Sequence, residues 1–233
     1  MTGILYGVGL GPGDAELMTR KAARLISAAK VVAYPTLAGG DSFARSIAAD
    51  LIGDDVQEIV IDVPMKVERG PAQAAYDLAA SEITAILESG LDVVVLCEGD
   101  PFFYGSFMYI YARLKERFQT EIVPGITAMT ASAAALGLPL AARNEMLSVV
   151  PGPLPDDELR QKIGAADCVA IMKVGRHLGR IRDVIEGLGL IDKAHYIERT
   201  TLPGEKKMPL AKAPDPAPYF SMILITKEAD PWL

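Results

Sequence analysis

The glycine-rich stretch at residues 7–14 (GVGLGPGD) constrains the fold of this chain more than any other segment. It follows a short apolar run at residues 4–6, and a segment with helical periodicity begins near Glu16. Four glycines between a strand and a helix predict a turn whose backbone approaches another group closely or adopts positive φ. Because ligands of open α/β sheets bind at the carboxyl ends of strands, the sequence predicts a ligand site at this turn.

The turn lacks the dinucleotide-binding pattern G-x-G-x-x-G. The third glycine of that pattern would fall on Pro12 or on Asp14, depending on the starting glycine. Pro12 has no backbone N–H with which to bind a pyrophosphate. No acidic residue ends the second predicted strand, residues 31–34, where a ribose would be bound. The turn is therefore predicted to serve a ligand other than a dinucleotide.

Short apolar runs alternate with segments of helical periodicity through the first half of the chain. The predicted strands are residues 4–10, 30–34, 58–62, 92–97 and 121–123. The predicted helices are residues 16–29, 42–51, 71–88 and 105–118. This regular alternation predicts a mainly parallel sheet with helices on both faces.

The pattern changes after the Pro-Gly pair at residues 124–125. Helices are predicted at residues 126–136 and 178–187, and strands at residues 147–150, 168–172, 195–198 and 221–226. Residues 203–218, rich in proline and lysine, are interpreted as a hairpin loop or flap. We therefore predict an α/β protein with two α/β domains and an active-site cleft between them. The domains are residues 1–122, with a parallel sheet, and residues 123–233, with a mixed sheet.

The composition excludes several classes of protein. A net charge of −7 and a pI near 5.0 argue against an extended nucleic-acid surface. No apolar run has the length of a membrane span and no signal peptide is evident, so we expect a cytoplasmic protein without a membrane partner. Cys97 and Cys168 lie in apolar strand-like runs, which predicts reduced core residues, with a disulfide as the alternative.

The fourth predicted strand ends in a second candidate ligand loop, residues 98–106 (EGDPFFYGS). Gly99 permits close approach of a ligand, and the oxygens of Asp100 can accept hydrogen bonds from a ribose or an amine. Tyr104 and Ser106 offer hydroxyl groups. The structural alternative is that Asp100 caps the following helix and that the aromatic side chains fill the core.

A third candidate loop, residues 123–128 (VPGITA), also places a tight turn before a helix of small residues. Thr127 either caps that helix or, with its small neighbours, leaves room for a flat ligand. Neither His177 nor His195 has a metal-ligand spacing, so no protein-bound metal is expected. The basic residues of the second half form either a solvated surface or a rim for an anionic substrate.

Five segments, taken in order, resemble the tetrapyrrole methylase family. They are GVGLGPGD, EGDPFFYGS, VPGITA, the apolar strand that ends at Met172, and IERTTLPGEK at residues 197–206. Members of this family have two α/β domains and use S-adenosylmethionine (SAM) as the methyl donor, and the resemblance spans nearly the whole chain. Members that start the pathway usually read GGDP, so Glu98 favours the branch that methylates C-20. Ala15 is a departure, since many relatives have proline there.

The resemblance implies roles for individual residues. The residues implied in SAM binding are Pro12, Glu98, Gly99, Asp100, Phe103, Thr127, Ala128, Met172, Thr200 and Thr201. Gly11 and Pro12 are implied on the tetrapyrrole side. The basic residues implied in binding the substrate's acetate and propionate groups are Arg69, Arg143, Arg176, Arg199 and Lys206. Tyr104 and Asp100 are the candidates for removing the C-20 proton, with Glu98, a substrate carboxylate or water as alternatives.

The resemblance thus implies a homodimeric methyltransferase that converts precorrin-2 to precorrin-3A. One alternative is the same C-20 methylation of cobalt-factor II. Others are methylation at another ring position, methylation of a substrate that is not a tetrapyrrole, and a SAM-binding regulator without activity. Turnover of a defined substrate distinguishes these alternatives.

Overall fold

The structure, a computed structural model, describes residues 1–37, 40–64 and 68–228, and of Leu37 and Arg69 it describes the backbone alone. The chain divides into two compact units, Met1–Thr127 and Ala128–Leu233, which we call unit 1 and unit 2. Each unit contains one five-stranded sheet. The α/β class predicted from the alternating pattern is therefore confirmed.

Unit 1 contains a parallel sheet in the order β3-β2-β4-β1-β5. Its strands are β1 (Leu5–Gly9), β2 (Val31–Leu37), β3 (Gln57–Val63), β4 (Val93–Cys97) and β5 (Thr120–Val123). Its helices are α1 (Arg20–Ser27), α2 (Phe43–Ile47), α3 (Arg69–Glu88) and α4 (Phe107–Leu114). Since β1 lies between β4 and β5 and all three run parallel, the loops that follow them share one edge of the sheet.

Helices cover both faces of this sheet. On one face, Ile83 of α3 and Phe107 of α4 join a core with alternate residues of β4. On the other face, Ile26 of α1 and Ile47 of α2 pack in a core with the remaining residues of β4. All five residues of β4 are buried, which explains why this strand is apolar throughout rather than alternating.

The first helix is shorter than the predicted residues 16–29. A 3₁₀ turn at Ala15–Leu17 comes first, with the Asp14 side chain accepting a hydrogen bond from the N–H two residues on. Helix α1 begins only after Thr19, whose hydroxyl oxygen accepts a hydrogen bond from the Ala22 N–H. Two capping side chains therefore divide what the periodicity predicts as one helix.

Unit 2 contains a mixed sheet in the order β6-β7-β10-β8-β9. Its strands are β6 (Leu147–Pro151), β7 (Cys168–Met172), β8 (Ala194–Glu198), β9 (Lys206–Pro209) and β10 (Ser221–Thr226). Strands β6 and β7 are parallel, and the other neighbouring pairs are antiparallel. Its helices are α5 (Ala128–Leu136), α6 (Asp156–Ala165) and α7 (Leu178–Gly187). Helices α6 and α7 pack on one face of this sheet and α5 on the other.

Of the two interpretations of residues 203–218, the structure supports the hairpin and not the flap. Strand β9 lies within this segment and pairs with β8. Leu210 is fully buried, and Ala213 and Ala217 belong to the same core. The proline and lysine content suggested a loop, but it concealed the few apolar side chains that anchor the segment to unit 2.

Helix α6 was missed because its pattern is weak. Only Leu159 and Ile163 are buried among its ten residues, so its apolar periodicity is a single i, i+4 pair. The usable signal lay at its start, where Pro155 precedes three acidic residues in the first turn. Acidic side chains are favourable at that end of a helix dipole.

The sequence also makes predictions about membrane spans and about the two cysteines. Within the described ranges, no helix has both the length and the apolar character needed to cross a membrane. Cys97 and Cys168 are buried and free, as predicted for reduced core residues.

The packing of α4 on β1 depends on Gly7. A Cβ at this position would lie 2.3 Å from Cε1 of the buried Phe107 ring. We expect Gly7→Ala to lower the free energy of unfolding by about 1–3 kcal/mol, since overpacking displaces the ring. Gly70→Ala is the control, because Gly70 is exposed in the first turn of α3 and a Cβ there meets nothing within 4 Å. It should leave stability unchanged or raise it by up to about 1 kcal/mol. Urea unfolding measures both, and equal midpoints for Gly7→Ala and wild type would contradict this packing.

Candidate active site

The loops that follow β1 and β4 are joined by two backbone hydrogen bonds. The Gly11 N–H donates to the Gly99 carbonyl at 3.2 Å, and the Gly99 N–H donates to the Gly11 carbonyl at 2.7 Å. Gly11 and Gly99 adopt φ values of 83° and 62°, which favour glycine. Two segments that the sequence identified separately, GVGLGPGD and EGDPFFYGS, therefore meet at the carboxyl edge of the unit 1 sheet.

The loop that follows β5 packs against the same two loops. A Cβ on Gly125 would lie 2.0 Å from the Gly99 carbonyl oxygen. A Cβ on Gly9 would lie 2.6 Å from the Gly125 nitrogen. Backbone atoms cannot move aside as a flexible side chain can, so these positions require glycine. In the sequence, Gly9 and Gly125 stand out only as parts of motifs, and no local pattern reveals this three-way contact.

Asp100 ties these loops together. Its Oδ1 accepts hydrogen bonds from the N–H groups of Phe102 at 2.9 Å and Phe103 at 3.0 Å. Its Oδ2 accepts a hydrogen bond from the Gly125 N–H at 3.1 Å. The carboxylate thus shapes its own loop as an Asx turn and links it to the loop after β5. This geometry favours a positioning role for Asp100 over proton transfer.

Glu98, the first residue after β4, has a different environment. Its side chain is accessible to solvent, yet the surrounding protein is dense enough to desolvate its carboxyl. This desolvation raises the pKa of Glu98, and a hydrogen bond from the Ala44 backbone N–H opposes the rise. An accessible carboxylate with a raised pKa is a better proton acceptor near neutral pH than an ordinary one.

The aromatic residues of this loop divide into two groups. Phe102 packs edge-on against Tyr111 of α4, with ring centroids 5.1 Å apart. Phe103 packs edge-on against Tyr104 at 5.2 Å. Tyr104 has a φ of 57°, unusual for a bulky residue, and its side chain is exposed. Pro12 of the first loop is half-buried.

Several predicted cofactor residues lie at or near α5, the first helix of unit 2. Thr127 directly precedes this helix and Ala128 begins it. Ala128 and Met172 pack against the core that α5 shares with β7, β8 and β10. The hydroxyls of Ser132 in α5 and Thr200 lie 2.9 Å apart. Met172 ends β7, while Thr200 and Thr201 follow β8, so these three residues share one edge of the sheet.

A buried acidic residue, Glu198, lies at the base of the turn between β8 and β9. Glu198 ends β8, and its Oε2 accepts a hydrogen bond from the Tyr196 hydroxyl at 2.5 Å. Its Oε1 lies 3.1 Å from the Lys206 ammonium. The sequence analysis missed Tyr196 and Glu198. The available signal was the two-residue period of a strand, which places Ala194, Tyr196 and Glu198 on the same face of β8.

Four of the five predicted substrate-binding cations lie in unit 2. Arg176, Arg199 and Lys206 lie at the edge where β7 and β8 end, and all three are exposed. Lys206 forms the ion pair with Glu198, so its ammonium already has a partner. Arg143, also exposed, precedes β6 and therefore lies towards the opposite edge. The side chain of Arg69 lies outside the described residues.

In the described part of the chain, no group of three or more His, Cys, Asp or Glu side chains is placed to hold an ion. The arrangement instead offers rigid backbone edges, a few hydroxyl groups and one accessible carboxylate with a raised pKa.

Comparison with known proteins gives a consistent result. The family model of Tetrapyrrole (Corrin/Porphyrin) Methylases matches residues 4–214. A precorrin-2 C(20)-methyltransferase from Sinorhizobium is 40% identical over 96% of this chain and 95% of its own length. A cobalt-precorrin-2 C(20)-methyltransferase from Salmonella typhimurium is 32% identical over 98% of each chain.

The fold has solved counterparts as well. A crystal structure of uroporphyrin-III C-methyl transferase from Thermus thermophilus, complexed with S-adenyl homocysteine, has a TM-score of 0.67. It is 23% identical, and the match covers 97% of this chain and 92% of that one. The family resemblance inferred from the five segments is confirmed: the chain belongs to the tetrapyrrole (corrin/porphyrin) methylase family.

Proposed function

We propose that this chain transfers the methyl group of SAM to C-20 of precorrin-2, giving precorrin-3A and S-adenosylhomocysteine. The observation that carries the proposal is the 40% identity, over nearly the full length of both chains, to a precorrin-2 C(20)-methyltransferase. The joined loops at the carboxyl edge of the unit 1 sheet support it, since that edge is where α/β sheets bind ligands.

The residues present fit SAM. Glycines at the strand ends add no side chains that would occupy space beside the loops, and the half-buried Met172 offers an apolar contact for a flat base. We propose that the cofactor residues are Pro12, Glu98, Gly99, Asp100, Phe103, Thr127, Ala128, Met172, Thr200 and Thr201. The sulfonium of SAM supplies an electrophilic methyl group, and the reduced tetrapyrrole supplies a carbon nucleophile.

The main task of the chain is then placement. Proximity and orientation contribute on the order of 7–11 kcal/mol to well-aligned reactions. The backbone bridge between Gly11 and Gly99 and the three hydrogen bonds to Asp100 hold the loops of this region together. Gly11 and Pro12 are proposed on the tetrapyrrole side.

The proton at C-20 must leave after methylation. Tyr104 and Asp100 are candidates from the resemblance, but the Asp100 carboxylate already accepts three backbone hydrogen bonds. Glu98 is accessible and has a raised pKa. We therefore propose Glu98 as the proton acceptor, with Tyr104 as the second candidate and Asp100 as a positioning residue.

Recognition of the substrate's carboxylates is proposed for exposed cations. Arg176 and Arg199 share the sheet edge with Met172 and Thr200, which favours them over Arg143. We also propose that the protein is cytoplasmic and homodimeric. Sedimentation equilibrium tests the dimer, and a monomer at micromolar concentration would contradict it.

The function is tested by anaerobic turnover with methyl-labelled SAM. Precorrin-2 and its cobalt-containing counterpart are offered in parallel, and NMR locates the transferred methyl group. We expect methylation at C-20, faster with precorrin-2, since identity is 40% to the relative named for that substrate and 32% to the cobalt-named one. A faster reaction with the cobalt compound would reassign the substrate. SAM binding without methylation of either compound would contradict the proposed reaction.

Glu98→Gln separates activity from stability. In the folded chain, desolvation raises the pKa of Glu98 above its ordinary value of 4.5. The ionised carboxylate therefore lowers the stability of the folded state at neutral pH. This cost is absent below the unfolded-state pKa, where the group is protonated in both states. The variant should therefore unfold at a higher temperature at pH 7. We expect kcat to fall about 100-fold and the acid limb of the pH–rate profile to disappear. Glu82→Gln on the exposed face of α3 is the control and should change neither property. An unchanged kcat in Glu98→Gln would exclude Glu98 as the base.

Asp100→Asn tests the link between loops. An amide cannot accept all three backbone hydrogen bonds, so we expect a loss of about 1–3 kcal/mol in unfolding free energy. The Kd for SAM, measured by calorimetry, should rise at least about tenfold. Asp92→Asn is the matched control, because Asp92 accepts one backbone hydrogen bond, from Ile4, at the other end of β4. Equal SAM affinity in the two variants would show that Asp100 has no positioning role.

A further inference from the structure

Glu198 stands apart from the other acidic residues of the chain. Its exposure is 5%, and among the residues that the structure describes it is the one charged side chain that is buried. Acidic side chains are almost never buried unless they are paired. The proposed methyl transfer makes no direct use of this carboxylate, so its burial calls for another explanation.

Two donors keep Glu198 ionised. The Tyr196 hydroxyl donates to Oε2 from the same buried face of β8, and the Lys206 ammonium contacts Oε1 across the β8–β9 pair. Burial raises the pKa of Glu198, but the hydrogen bonds from Tyr196 and Lys206 outweigh it, so the pKa lies below its ordinary value. Glu198 and Lys206 face each other in the register, so their ion pair closes the base of the turn at residues 199–205.

The turn above this ion pair is strained. Arg199 has a φ of 52° and Thr201 a φ of 66°. A positive φ is an outlier for a β-branched residue such as threonine. Strain of this kind persists only where the surroundings over-determine the conformation, and it concentrates at ligand sites.

Contacts hold the turn from several sides. The Arg199 N–H donates to the Phe220 carbonyl at 2.9 Å. The Thr201 N–H donates to Oε2 of Glu205 at 2.9 Å, and Thr200 contacts Ser132 of α5 through their hydroxyl groups. The Glu198–Lys206 ion pair adds a fixed base to these contacts.

We propose that Glu198, with Tyr196 and Lys206, is a positioning residue that holds residues 199–205 in the conformation in which Thr200 and Thr201 bind SAM. This inference rests on the proposed function, because only there are Thr200 and Thr201 cofactor residues. A turn that relaxes spends less time in the binding conformation, and the apparent Kd rises in inverse proportion to that fraction. Glu198 therefore acts on SAM affinity and not on the chemical step.

The test compares Glu198→Gln with wild type in the full chain. Calorimetry gives the Kd for SAM, and turnover at saturating SAM gives kcat. We expect the Kd to rise about tenfold or more while kcat stays within about threefold. Asp156→Asn is the matched control, because Asp156 forms an ion pair with Arg180 elsewhere in unit 2. It should leave both quantities unchanged.

Two further variants keep the inference testable if Glu198→Gln fails to fold. Tyr196→Phe removes only the hydroxyl and should raise the Kd by about threefold, with kcat unchanged. Lys206→Met removes the other partner and should also raise the Kd. Where Glu198→Gln folds, the double variant should show less than the sum of the two single effects.

The outcomes separate the two proposals. If wild type does not bind SAM, the proposed function is wrong and this inference falls with it. If wild type binds SAM and the Glu198 and Tyr196 variants bind it equally well, the inference is overturned while the function stands. A lower unfolding temperature with unchanged SAM affinity also overturns it, since that result describes a purely structural ion pair.

Discussion

Close contact among three strand-end loops is the constraint on which the proposed site depends. A Cβ at Gly9 or Gly125 would lie within 3 Å of backbone atoms of a neighbouring loop, and backbone atoms have no alternative rotamer. The loops are joined by main-chain hydrogen bonds and by one carboxylate. Their arrangement therefore depends on a few positions, and the side chains between those positions can differ without altering it.

Two glutamates at strand ends have identical side chains but opposite pKa shifts, because their surroundings differ. Glu98 follows β4, is accessible to solvent, and has a raised pKa because its carboxyl is desolvated. Glu198 ends β8, is buried, and has a lowered pKa because two donors hold its charged form. Groups whose environments push their pKa values apart are suited to different tasks. The first is suited to exchanging a proton and the second to holding a fixed charge.

Local patterns predicted the strand ends and the loops that follow them well, because a glycine turn after an apolar run is encoded within about ten residues. Contacts between residues far apart in the sequence were harder to predict from these local patterns. The Asp100 carboxylate accepts a hydrogen bond from the Gly125 N–H. Glu198 forms an ion pair with Lys206 across a turn that resembles an open loop in the sequence. Helix α1 shows a further limit, since periodicity alone did not reveal that Thr19 caps it. Pairings of this kind depend on sheet order and register, which short windows of sequence do not contain.

The strand order of unit 2 places β9 at an edge of the described sheet. An edge strand offers unpaired N–H and carbonyl groups to other chains, and long apolar edges promote aggregation. Strand β9 is only four residues long, contains two lysines, and ends in Pro209, which has no N–H to donate. Glu198 holds one of those lysines in place. The shortness of β9, its lysines and its terminal proline are features that disfavour pairing of this edge with a strand of another molecule.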